Sequence, residues 1–157
     1  MIEKKILPQP LLYLSKFFEQ HRTEYYDRLL AVSEKGEWIE WIRFFLQAII
    51  VQSNHAIESG KRIIDTRERY RQILQNDPKM RSYTALVDFI FTTPYFNLAQ
   101  AQESLNSSYN TAKKAIGILE DLGLVEEITG QSRNRIYMAR ELIQLLEENQ
   151  PIYSPKN

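Results

Sequence analysis

The chain has no cysteine in 157 residues, which removes disulfides, thiol nucleophiles and cysteine-based zinc sites together. Histidine occurs only at His21 and His55, too few for a histidine metal cluster. Glycine stands only at positions 36, 60, 117, 123 and 130, and no two are close enough to make a phosphate-cradling loop. There is no net charge either, since 20 basic side chains balance 20 acidic ones. Residues 1–78 hold 12 basic and 11 acidic side chains and residues 79–157 hold 8 and 9, so neither half has a field that draws nucleic acid. Any such affinity must come from local placement. No basic, apolar leader opens the sequence, and no run of about 18 apolar residues suggests a membrane span. The expected location is the cytoplasm, with no membrane partner.

What is present is a patterned stretch from Leu98 to Met138. Asn97 is placed to cap a helix over Leu98–Leu105, Asn106-Ser107-Ser108 makes a tight turn, and Ser108 caps the next helix. There Ala112, Ala115, Ile116, Leu119 and Leu122 recur at three- and four-residue steps, which leaves Tyr109, Asn110, Lys113, Lys114 and Gly117 on the other side. Gly123 can take positive φ after the helix, Leu124–Thr129 reads as a strand, Gly130–Arg135 as a polar reversal, and Ile136–Met138 as the returning strand. The pattern predicts a winged helix-turn-helix with a small β-hairpin. Ser108, Tyr109, Asn110, Lys113 and Lys114 are then candidates for the major groove of duplex DNA, with Asn110 suited to adenine. Arg133 and Arg135 at the hairpin tip are candidates for phosphate or the minor groove. The alternative is a solvated helix face on a domain that binds protein or packs on its parent. Whether these side chains share one exposed face decides between the two.

The residues before this stretch read as mainly α. One helix is expected from Leu14 toward Lys35, capped by Ser15 and stopped by Gly36, with Tyr25, Leu29 and Ser33 on one face beside Tyr26. A second runs from about Trp38 to about Gln75 and is apolar on nearly every side as far as Val51, so it calls for burial on more than one side. Only one helix in residues 1–36 is there to cover it, so either the chain is expected to self-associate or it is expected to be a piece of a larger one. From Lys61 to Arg71 charges dominate, and this part reads as a solvated helix leading away from the core until Asn76-Asp77-Pro78 ends it. Lys79–Phe91 should form a helix with Tyr83, Leu86, Val87 and Ile90 inward. Arg140–Glu148 should form an amphipathic one that joins a homodimer contact. The expected division is a helical part over 1–76, a winged domain over 79–148 and a loose tail over 149–157.

The strings Leu12-Tyr13-Leu14-Ser15-Lys16-Phe17-Phe18-Glu19, Arg22-Thr23-Glu24-Tyr25-Tyr26-Asp27-Arg28-Leu29-Leu30 and Gly36-Glu37-Trp38-Ile39-Glu40-Trp41-Ile42-Arg43-Phe44-Phe45-Leu46 resemble the Fic family, at the helices that follow its catalytic motif. Fic proteins of this type commonly carry a winged helix-turn-helix after those helices, so the resemblance covers nearly all of residues 1–148. It implies that Tyr25, Tyr26, Leu29 and Ser33 help line an adenine pocket in a protein that transfers AMP from ATP, with magnesium, onto a protein hydroxyl. The family's His-Pro-Phe motif, followed after one residue by Asp-Gly-Asn-Gly-Arg, does not occur here. The chain is therefore expected to be a C-terminal remnant whose Met1 is an internal methionine of a longer parent. By itself it is expected to be no enzyme and to hold no cofactor. Binding to DNA, to an upstream Fic core or to a protein target is the activity left to it.

Overall fold

The computed structural model describes residues 13–148, so the expected entry segment and the tail from 149 lie outside the described residues. The described chain is mainly helical, with seven α-helices, one 3-10 turn and a three-stranded antiparallel sheet. It divides into two compact units, the first reaching Gly60 and the second covering residues 61–147.

The first unit holds α1 (Leu14–Gln20), α2 (Arg22–Lys35) and the start of α3 (Trp38–Gln75). The sequence predicts one helix where the structure has two. His21 breaks it: its backbone leaves helical geometry at φ −111°, ψ 38°, while Nδ1 donates to the Phe17 carbonyl at 2.9 Å and the ring stacks on Phe17 at 4.1 Å. Ser15 lies inside α1 and is not its cap, since the helix starts after Tyr13 with no side-chain cap bond. Gly36 does stop α2, at φ +68°, where its N–H closes on the Val32 carbonyl; only glycine takes that conformation without strain. Phe17, Phe44 and Ala48 form the buried centre, flanked by Phe18, Tyr25 and Trp41. On the opposite side of α3, Ile39, Ile42, Leu46 and Ile50 remain 49–68% exposed. The expected need for a second covering surface is thus visible as bare apolar side chains.

The second unit takes in the end of α3, and here the solvated reading of residues 61–75 is corrected. Tyr70 and Leu74 are buried at 1% and 0% exposure. The Tyr70 ring packs edge-on against Phe91 at 5.6 Å, and its hydroxyl donates to Glu141 Oε2 at 2.9 Å. Charges that looked solvated are partly used internally: Arg67 donates to Asp88 at 2.9 Å and Arg69 pairs with Glu141. Division by packing therefore falls at Gly60–Lys61, inside the helix, rather than near Pro78. Two apolar side chains per two turns, set among charges, are enough to make one buried stripe.

Asp77 accepts from the Lys79 N–H in a turn after α3, and Arg81 Nε donates to the last-turn carbonyl of Gln75 at 3.0 Å. The expected helix over 79–91 is shorter, a 3-10 turn Arg81–Tyr83 and then α4 (Thr84–Ile90), with Tyr83, Leu86, Val87 and Ile90 all buried. β1 (Tyr95–Asn97), α5 (Leu98–Ser104), α6 (Tyr109–Asp121), β2 (Glu126–Glu127), β3 (Ile136–Met138) and α7 (Arg140–Glu147) follow. The strand expected over 124–129 contracts to β2, and β1 joins the expected pair to give the order β1-β3-β2. Phe96 faces Tyr137 across that junction, with stacked rings 5.7 Å apart. On α7, Leu142, Ile143, Leu145 and Leu146 are all buried. Among the described residues no helix is long and apolar enough to cross a membrane.

Asn97 and Gln100 form a reciprocal cap on α5: Asn97 Oδ1 accepts from the Gln100 N–H at 3.0 Å, and Gln100 Oε1 accepts from the Asn97 N–H at 2.9 Å. Asn97→Ala should cost about 1 kcal/mol in a denaturant titration. An unchanged midpoint would show that the cap contributes nothing.

A pH dependence follows from Glu141. The hydrogen bond from Arg69, helped by that from Tyr70, holds its carboxyl below the usual range against the opposing effect of burial. A depressed folded-state value means the stabilisation is full above the unfolded carboxylate range and is lost as pH falls through the folded value. Wild type should exceed Glu141→Gln in stability at pH 7, and the gap should shrink toward about pH 3. A gap independent of pH would contradict this.

Candidate functional site

The α5–α6 connection is built as the sequence indicates. Asn106 turns the chain at φ +44°, and Ser108 Oγ accepts from the Thr111 N–H at 3.3 Å, which caps α6. Ala112, Ala115, Ile116 and Leu119 are buried along one side of α6, so Tyr109, Asn110, Lys113 and Lys114 are turned outward, and with Ser108 all are exposed. Gly123 then takes φ +70° and lets the chain reverse into β2.

The hairpin tip has its own clasp. The Glu127 carboxylate accepts from the N–H groups of Thr129 at 2.7 Å and Gly130 at 3.1 Å, and from the Thr129 hydroxyl. These hydrogen bonds, the Thr129 hydroxyl foremost, hold its carboxyl below the ordinary range. Gly130 at φ +62° and Asn134 at φ +54° supply the two left-handed turns of the loop. Arg135 Nε donates to the Gln131 carbonyl at 2.8 Å, which ties the loop across itself. Glu126 is held by Arg140 from the start of α7. Reading the sequence as a charge pattern missed this use of Glu127, although the run Glu127-Ile128-Thr129-Gly130 is an acceptor set beside turn-forming residues.

Tyr109 and Lys113 from α6, Arg133 and Arg135 from the hairpin, and Asn97, Leu98 and Gln102 from β1 and α5 line one groove of about 620 Å³. Four of the seven residues singled out from the sequence are thus brought together. Ser108, Asn110 and Lys114 lie outside that lining, and of these Asn110 and Lys114 are exposed on α6. The contribution of α5 and of Tyr137 to the groove was not foreseen.

The cations of this unit are unequal in freedom. Lys113, Lys114 and Arg133 make no hydrogen bond or ion pair among the described residues, whereas Arg67, Arg69 and Arg140 are committed to carboxylates and Arg135 to a carbonyl. The far end of α6 is acidic. Burial pushes the Glu120 carboxyl above its ordinary value, with Glu127 and Asp121 adding repulsion and Arg135 opposing.

The second set of candidates lies in the first unit. Tyr25 is half-buried, its ring 5.0 Å from Phe18 and 5.6 Å from Trp41. Tyr26 is 55% exposed with the Arg22 guanidinium over its ring at 5.7 Å, and Leu29 and Ser33 are exposed along the same helix. Tyr25 is therefore held by the aromatic core, while the other three present a mixed surface. No group of three or more histidine or acidic side chains able to hold a metal occurs among the described residues. Compared with protein-family models, the chain matches none.

Proposed function

We propose that residues 61–147 are a winged helix-turn-helix that binds duplex DNA, with α6 in the major groove and the hairpin tip against the flanking backbone. The observation that carries this reading is the groove lined by Lys113 from α6 and Arg133 from the hairpin, neither of which makes a hydrogen bond or ion pair among the described residues. Exposed cations lining one groove and not used in internal pairs among the described residues are placed to meet a polyanion. Arg135 serves chiefly to hold the tip. Titration of a fluorescent random-sequence duplex should show binding at low salt that weakens steeply as salt rises, because each neutralised phosphate releases counterions. Absence of binding at low salt would remove the reading.

The bare apolar face of α3 in the first unit favours a second reading of that part. Residues 13–60 would be a portion of a Fic-type adenylyltransferase, with Ile39, Ile42, Leu46 and Ile50 lying against its upstream core and Tyr25, Tyr26, Leu29 and Ser33 against adenine. ATP and magnesium would then be held by that core. Codons ahead of Met1 should encode an in-frame His-Pro-Phe motif, and the longer polypeptide should transfer labelled AMP to protein. Codons without the motif would remove this second reading.

A further inference from the structure

Gly117 stands in the interior of α6, where glycine weakens a helix, yet a Cβ built there meets nothing within 4 Å. Packing inside the unit gives no reason for it. Its position around the helix does. With 3.6 residues per turn and Tyr109 taken as zero, Lys113 lies at about 40°, Gly117 at about 80°, Asn110 at about 100° and Lys114 at about 140°. Asn110, exposed, and Gly117, half-buried, thus lie nearest the middle of the outward arc, with Asp121 one turn beyond Gly117 at about 120°, and Lys113 and Lys114 stand on its two flanks. Lys113 is on the flank that faces the hairpin groove and Lys114 is on the other. Glu120 and Asp121 lie one turn past Gly117, Asp121 on the same side, and their charge confines phosphate contact to the part of the helix before Gly117.

Resting on the DNA reading above, we infer that α6 is seated with Asn110 and Gly117 toward the base edges and with Lys113 and Lys114 against the phosphates of opposite strands. Gly117 is the point of closest approach. Its lack of a side chain lets the helix sink into the major groove until Asn110, whose amide offers a paired donor and acceptor, reaches a base edge. Arg133 strengthens the grip on the strand beside Lys113. Sequence preference then belongs to the middle of the arc, and the salt dependence belongs to the flanks.

The test compares Gly117→Leu and Gly117→Ala with wild type, using Gly60→Ala as the control, since Gly60 is also a helix-interior glycine with nothing within 4 Å of an added Cβ. Each is measured for melting temperature and for affinity to a random-sequence duplex at low salt. All three substitutions should leave the melting temperature unchanged or raise it by a few degrees, about 2–5 °C. Gly117→Leu should bind at least about tenfold more weakly, Gly117→Ala should fall in between, and Gly60→Ala should bind as wild type does. A Gly117→Leu protein that keeps its fold and binds as tightly as wild type overturns this inference and leaves the DNA reading standing. The same holds if Gly60→Ala weakens binding equally. Wild-type protein that binds no duplex overturns the DNA reading, and this inference with it.

Discussion

Replacing Lys113 and Arg133 together by alanine should weaken duplex binding by about 30- to 100-fold at low salt and lower the slope of log affinity against log salt by about two. Both side chains are exposed, line the same groove and make no hydrogen bond or ion pair among the described residues, so the fold should tolerate their removal. Alanine also suits the interior of α6, where Lys113 stands. Loss of binding with an unchanged melting curve therefore reports contact, not unfolding. Arg135→Ala is the contrasting case. It removes a hydrogen bond to Gln131 within the hairpin, so it should loosen the tip and weaken binding by disordering Arg133 as well as by losing a charge. Unchanged affinity in the double variant would place any DNA contact elsewhere.

The largest effect on stability should come from Tyr70→Ala, at about 3–5 kcal/mol in a denaturant titration. The ring is 1% exposed and packs against Phe91, and its hydroxyl bonds Glu141. Truncation leaves a cavity and removes one of the two donors to a carboxylate on α7. Tyr70→Phe separates the two contributions, since it keeps the ring and should cost only about 1 kcal/mol. Burial, with the hydrogen bond to Glu141 adding to it, holds the phenol above its ordinary range, so it remains a donor at neutral pH. A cost for Tyr70→Ala below about 1 kcal/mol would mean that the end of α3 is solvated after all.

That error has a physical origin. Tyr70 and Leu74 sit among arginines and glutamates, and a four-residue step between two apolar side chains is a weak sign of burial unless the partner surface is known. The partners of Tyr70 are Phe91, just after α4, and Glu141 of α7, more than twenty residues further along, and no local pattern announces them. Local signals were read well where one residue type answers one backbone demand. Asn97 and Ser108 cap, and Gly36 and Gly123 take positive φ. The break at His21 shows the converse, because the residues around it are compatible with a continuous helix and a single ring stacked on Phe17 decides otherwise. At the candidate site, the outward turn of Tyr109, Asn110, Lys113 and Lys114 follows from the apolar periodicity of α6. The meeting of α6 with the hairpin tip follows from the reversal held by Glu127, Thr129 and Gly130. Side-chain type alone does not reveal which charges are already paired. Glu126, Glu127 and Arg135 look like free surface charges in the sequence and are used internally in the fold.

The most direct measurement is a titration of the isotope-labelled chain with a short duplex, followed through its backbone amide resonances. Shifts confined to residues 108–117 and 131–136 are predicted, and they should fade as salt is added. Shifts centred on the first unit, or none at all at low salt, would contradict a DNA-binding face made from α6 and the hairpin.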